Sequence, residues 1–246
     1  MPDLVAAPGS TTSTGAEEFH VGFLGFPNLT QLDLTGPFET LARLPGIKVH
    51  IVARTLKPIR SDTGFIIQPT TSYADCPSLD LICVPGGPGV NEVMLDGETL
   101  AFVRQQAATA CYVTSVCSGA LVLGAAGLLR GYRATTHWAS LQFLSRFGAI
   151  PARERVCVDR NRITGGGVTA GIDFGLYVAA ELGGQPLAER IQLYLEYAPS
   201  PPFASGTPAS APTEVLSAYM EASAAMLERR ATAVEQAAAA LASDVN

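Results

Sequence analysis

The amino-acid sequence predicts an α/β fold, with a doubly wound, mostly parallel central sheet and helices on both of its faces. Three observations carry this. Short, near-continuous apolar runs alternate with stretches of helical period, the pattern of strands buried on both sides. Several of these runs stop at clusters of Gly and Pro, where strands give way to turns. With 246 residues, 48% hydrophobic and 15% charged, the chain can enclose a substantial core. Ligands of such sheets bind in the crevice beyond the carboxyl ends of the strands, so whatever follows each run matters most.

Residues 21–26 form the first run, closed by Pro27. In the stretch that follows, Thr35 or Gly36 is expected to cap a helix with Pro37 in its first turn. Asp33 would then lie on a loop at the strand's carboxyl end. Residues 48–54 read as the second strand, and 61–69 as an exposed segment open to antiparallel pairing. Residues 80–84 are the third central strand, ending in Pro85-Gly86-Gly87-Pro88-Gly89. A Gly-Gly there lets backbone N–H groups approach a ligand closely, or serves simply as a tight turn into a helix. An amphipathic helix over 98–110 leads into the next strand.

Residues 110–124 are the most informative stretch. A β-branched run is followed by small apolar residues at helical spacing, which predicts strand, sharp turn and helix with Cys117 on the turn. This is the strand-turn-helix elbow on which nucleophiles stand above a sheet. The positive end of the following helix would favour thiolate over thiol. A buried, inert cysteine at a strand end is the alternative.

Residues 127–131 close that helix, and 132–136 are expected to form a further strand ending at His137 and Trp138. Residues 155–158 and 162–164 read as a hairpin turning at Asp159-Arg160-Asn161, followed by Gly165-Gly166-Gly167. One helix runs from Thr169 or Gly171 to Leu182 and another over 186–197, broken by Pro199, Pro201 and Pro202. From Thr213 the Ala-rich tail has high helix propensity. Val215, Leu216, Tyr219, Met220, Met226 and Leu227 are its expected apolar face, and the last dozen residues are expected to fray. Residues 1–18, with neither a basic start nor an apolar core, read as a flexible extension rather than a signal peptide or membrane span. Residues 19–246 read as one domain.

Composition narrows the function. A net charge of −6 gives no basic face for nucleic acid or an anionic membrane. The cysteines at 76, 83, 111, 117 and 157 are odd in number and contain no C-x-x-C pair, which points to a reduced, cytoplasmic protein without a structural metal. A small neutral or modestly charged ligand suits this surface.

In this reading Asp33, Gly86, Gly87, Cys117 and His137 reach the same sheet edge from separate strands. They also lie in recurrent motifs: Leu32-Asp33-Leu34-Thr35-Gly36-Pro37, Val84-Pro85-Gly86-Gly87, Val116-Cys117-Ser118-Gly119-Ala120, Ala134-Thr135-Thr136-His137-Trp138, Thr164-Gly165-Gly166-Gly167 and Glu196-Tyr197-Ala198-Pro199-Ser200-Pro201-Pro202-Phe203. In order and combination these resemble the isonitrile (isocyanide) hydratases of the PfpI-type superfamily, from about residue 20 into the C-terminal helices. The resemblance implies the flavodoxin-like fold of class I glutamine amidotransferases. It also implies hydration of a small-molecule isonitrile to an N-substituted formamide, with no metal or organic cofactor, by a homodimer. Cys117 would be the nucleophile and Asp33 the acid and base. Ser118 stands where these enzymes tend to carry Thr, and Gly87 and Ser118 would steady developing charge. Gly86 and Gly166 would shape the pocket, with His137 as a supporting residue.

Fold does not settle function. One alternative is a ligand or redox sensor related to the superfamily's transcription regulators, whose basic helix-turn-helix module this sequence is expected to lack. Another is a different cysteine-dependent hydrolase, which would need His137 in the chemistry. An exposed Cys117 thiolate would also be the first thiol to oxidise.

Overall fold

The computed structural model describes residues 18–243, so nearly all of the expected N-terminal extension lies outside the described residues. The strands are β1 (Phe19–Leu24), β2 (Ile47–Ala53), β3 (Ile59–Arg60), β4 (Ile66–Ile67), β5 (Thr71–Ser72), β6 (Leu81–Val84), β7 (Tyr112–Val116), β8 (Arg133–Ala134), β9 (Ile150–Pro151), β10 (Val156–Asp159) and β11 (Arg162–Gly165). The helices are α1 (Gln31–Leu41), α2 (Val90–Val93), α3 (Gly97–Ala107), α4 (Gly119–Ala125), α5 (Ala170–Gly183), α6 (Gln185–Tyr194) and α7 (Thr213–Ser243).

The central sheet runs β10-β11-β7-β6-β1-β2-β5, parallel except for β10, which pairs antiparallel with β11. This is the doubly wound α/β arrangement the apolar runs predict. All four residues of β6 are buried, as a strand covered by helices on both faces requires. The registers Phe23 with Cys83, Val84 with Ser115 and Val116 with Gly165 bring the carboxyl ends of β1, β6, β7 and β11 to nearly one level. Because β1 has β2 on one side and β6 on the other, the strand order reverses there and opens the crevice where such sheets bind ligands. One buried apolar cluster reaches from Val21 in β1 to Leu241 in α7.

Three local expectations are corrected. Helix α1 begins five residues earlier than Thr35–Gly36 suggested, with Thr30 as its N-cap, so Asp33 sits in the first helical turn rather than on a loop. Pro37 lies inside this helix; burial of Leu34, Pro37 and Leu41 outweighs the backbone bond that proline removes. The expected strand over 132–136 shrinks to β8, which pairs with β9 in a small separate sheet. Side-chain bonds replace the ladder after it: the Thr135 N–H donates to Thr164 Oγ1 at 2.9 Å, and Thr135 Oγ1 donates to the Glu154 carbonyl at 2.9 Å.

The third correction concerns α7, a single helix of 31 residues. Its buried face is Arg230, Ala233, Val234, Ala237 and Leu241, while Val215, Tyr219 and Met220 are exposed. Small alanines let the C-terminal half pack closely on the body, and of the last dozen residues expected to fray the described ones, to Ser243, are anchored by Ala237 and Leu241.

Candidate active site

Cys117 occupies the turn between β7 and α4 with φ +55°, a left-handed conformation that a non-glycine residue adopts only where its surroundings impose it. The surroundings do so at both peptide groups. The Cys117 N–H donates to the Gly165 and Gly166 carbonyls at 3.1 and 2.8 Å, and Thr136 Oγ1 donates to the Cys117 carbonyl at 2.8 Å. After the turn α4 must pass directly over the end of β6. A Cβ on Gly119 would collide with the Val84 carbonyl oxygen, so only glycine fits there.

Asp33 comes to the same point from α1, fully buried. Its Oδ2 accepts the Gly86 N–H at 3.0 Å, and its Oδ1 has no hydrogen-bond partner. Burial pushes the Asp33 carboxyl up to about 7; Cys117 and the Gly86 N–H act against that rise, and the Asp62 charge adds to it. Burial, then the Asp33 charge, pushes the Cys117 thiol well above its ordinary value, while the Ser118 N–H and Arg230 pull it down. The exposed, low-pKa thiol expected from the sequence is thus corrected, for Cys117 is only 6% exposed. Two coupled acids, both displaced upward, titrate as a pair.

The glycines after β6 are committed rather than open. Gly87 has φ +123°, where a Cβ would come within 2.5 Å of the Thr30 nitrogen. Its N–H donates to Ser118 Oγ at 3.0 Å, and Ser118 Oγ reaches the Gly87 carbonyl at 3.3 Å. The expectation of free N–H groups at Gly87 is therefore revised: Ser118 holds one, Asp33 holds that of Gly86, and the Ser118 N–H is the donor facing the sulfur. Gly166 lies on the opposite wall, its N–H donating to the Arg155 carbonyl at 2.8 Å.

His137 stands at the rim, two residues before Ala139, whose N–H donates to its Nδ1 at 3.3 Å. It caps the 3-10 segment Trp138–Phe147 and stacks obliquely with Trp138 and Tyr219. Burial and the Arg230 charge lower its pKa, favouring the neutral ring. Its partners are structural, and no hydrogen bond joins it to Cys117 among the described residues.

The sequence reading passed over Arg230. Its guanidinium is buried beneath the site and bonds Asn91, Ser140 and the Gly87 carbonyl. A signal was present: an arginine falls on the stripe it shares with Ala233, Val234, Ala237 and Leu241, where an apolar residue belongs. No group of three or more His, Cys, Asp or Glu side chains among the described residues is placed to hold a metal ion.

A doubly wound sheet with a cysteine elbow and a carboxyl from the first helix defines a class, and the comparisons agree with it. The sequence model of the DJ-1/PfpI family matches residues 20–181, and the chain belongs to that family. It is 56% identical over 221 residues to the isonitrile hydratase of Pseudomonas putida, covering 90% of this chain and 97% of that protein. A THiJ/PfpI family protein from Pseudomonas syringae superposes with TM-score 0.86 at 44% identity, over 92% of this chain and 98% of the other. The HTH-type transcriptional regulator GbdR of Pseudomonas aeruginosa is 29% identical over 179 residues, which is 70% of this chain and 48% of the regulator.

Proposed function

We propose that the chain is a cysteine-dependent hydro-lyase that hydrates an isonitrile, R–N≡C, to the formamide R–NH–CHO. The observation that carries this is a buried Asp33 carboxyl, held by the Gly86 N–H with one oxygen unpartnered, coupled to the Cys117 thiol on a strained elbow. Identity of 56% to an isonitrile hydratase over nearly the whole of both chains supports the substrate class.

The terminal isonitrile carbon needs a nucleophile and a proton together. Cys117 Sγ as thiolate forms the C–S bond, and Asp33 as carboxylic acid delivers the proton to the same carbon, giving the thioimidate R–N=CH–S. An upward-displaced carboxyl keeps that proton near neutral pH. The resulting carboxylate then takes a proton from water as its oxygen adds to the carbon. Asp33 passes that proton to nitrogen, and as the C–S bond breaks the hydroxyl proton returns to Asp33, so that Cys117 departs as thiolate and Asp33 is again the acid. One water supplies both new hydrogens and the oxygen. Ser118 N–H, already directed at the sulfur, steadies its charge at both ends of the cycle. Gly86 and Ser118 Oγ hold Asp33 and Gly87 in place, Gly166 holds the Cys117 backbone, and His137 supports the rim.

The same reading places a homodimer in a reducing cytoplasm. Five free cysteines agree with that compartment, and exposed Phe65 and Ile66 offer apolar surface for a second copy. No helix among the described residues is long and apolar enough to cross a membrane.

The test follows an aryl isonitrile by ultraviolet absorbance with wild type, Cys117→Ala and Asp33→Ala. Catalytic formamide from wild type alone is expected. Turnover by either variant, or none by wild type with several isonitriles, sinks the proposal.

A further inference from the structure

Arg230 is only 4% exposed, yet its guanidinium meets neutral acceptors. Nε donates to Asn91 Oδ1 at 3.1 Å, Nη1 to Ser140 Oγ at 3.0 Å and Nη2 to the Gly87 carbonyl at 3.0 Å. No carboxylate among the described residues forms an ion pair with it. A buried cation without a counter-anion is costly, and the usual solution is a charge placed nearby. The Gly87 carbonyl that Nη2 bonds is also reached by Ser118 Oγ at 3.3 Å, which sets the guanidinium beside the elbow, where Cys117 favours its charge ahead of Tyr219 and Glu92. We propose that Arg230 is a positioning residue whose fixed charge holds the Cys117–Asp33 pair in its thiolate–carboxylic acid form.

The pair shares one proton over the working range, and two arrangements compete for it: thiolate with carboxylic acid, or thiol with carboxylate. The Gly86 N–H on Asp33 Oδ2 favours the carboxylate, and Asp62 opposes it. On the sulfur side the Ser118 N–H and Arg230 favour the thiolate. Of the other titratable groups near Arg230, His137 is kept neutral by burial and by Arg230 itself, and Tyr219 and Glu92 act on Arg230 less than Cys117 does. Arg230 is the full positive charge in this balance, and its three anchors on α2, the 3-10 segment and the turn after β6 prevent it from swinging to solvent. Moving the proton between sulfur and carboxylate leaves the pair's total charge unchanged, so a fixed neighbouring charge selects the arrangement. The inference rests on Cys117 being the reactive thiol of the proposed function and not on the identity of the substrate.

Thiolate absorbance in the ultraviolet, taken as wild type minus Cys117→Ser across neutral and alkaline pH, reads the sulfur directly. Iodoacetamide labelling of Cys117, quantified by peptide mass spectrometry, gives its reactivity. Arg230→Gln is expected to raise the midpoint by about one pH unit and to slow labelling near neutral pH about tenfold. Arg230→Lys, which keeps the charge, is expected to restore most of both. Arg230→Met takes the place of the glutamine variant should that not fold. A neutral variant that melts like wild type and keeps its midpoint overturns the inference. So does a lysine variant displaced as far as the neutral one, since geometry rather than charge would then be responsible. Absence of thiolate near neutral pH in wild type overturns it whatever the variants do. Formamide is not the readout, so failure to hydrate isonitriles would leave a displaced midpoint standing.

Discussion

The Gly86 N–H donates to Asp33 Oδ2 at 3.0 Å while Asp33 Oδ1 has no hydrogen-bond partner. The turn after β6 therefore holds a carboxyl carried by α1, and leaves one oxygen for chemistry beside Cys117. A buried carboxyl with one unmatched oxygen is a poor stabiliser and a suitable proton carrier.

The pH profile of turnover should report this pair. The Asp33 carboxyl is pushed up to about 7, and the thiol lies well above its ordinary value. Activity needs one proton on the pair, so kcat/KM should rise through about pH 7 and fall only at distinctly alkaline pH. A profile already flat below pH 6 would contradict a shared proton near 7.

Stability should fall with rising pH because of the same residue. A carboxyl whose value climbs from 3.8 to about 7 on folding binds its proton more tightly in the folded state. The contribution of the pair it belongs to is therefore fully present below about pH 4 and lost as the pair gives up its first proton through pH 7. Asp33→Asn, neutral throughout, should melt higher than wild type above pH 7 and lose that advantage toward pH 4. Thermal melts at the two pH values decide it.

His137→Ala should cost stability more than chemistry. The cap it provides to Ala139 is worth about 1 kcal/mol, and turnover should fall by less than about tenfold, against the roughly hundredfold or greater loss expected from removing an acid–base group. A loss matching that of Cys117→Ala would make His137 part of the chemistry.

Gly119→Ala should be severe. Its Cβ would strike the Val84 carbonyl, backbone that cannot rotate aside, and a cost above about 3 kcal/mol is expected. Urea unfolding that shows a near-neutral change would mean that the elbow is laxer than described.

The two halves of α7 should respond differently. Val234 is fully buried and Met220 is 40% exposed. Val234→Ala should cost about 1–3 kcal/mol and Met220→Ser less than about 0.5 kcal/mol. Equal effects in urea melts would contradict the assignment of the buried face.

Much of the site was legible because its signals are local. The change from β-branched to small apolar residues around Cys117 marks strand, turn and helix within fifteen positions, and Gly86-Gly87 after a buried run marks a strand end. Helix α1 was misplaced because Pro37 looked like a first-turn residue, whereas packing of Leu34 and Leu41 extends the helix on both sides of it. His137 was read at a sheet edge because Thr135 and Thr136 look like strand; their hydroxyls instead tie the chain to Glu154 and Cys117.

The sequence by itself determined the alternation of the central strands with the main helices, the elbow with its cysteine, and the acidic residue after β1, since each is written in periodicity and turn chemistry over a few neighbouring residues. Only the tertiary structure decided that Asp33 and Cys117 perturb one another, that Ser118 occupies the Gly87 N–H, and that Arg230 lies beneath both. The Arg230–Gly87 bond spans 143 positions. No local period records such a pairing; it exists because the core draws α7 onto the body and leaves a buried cation to be satisfied where the chain happens to meet.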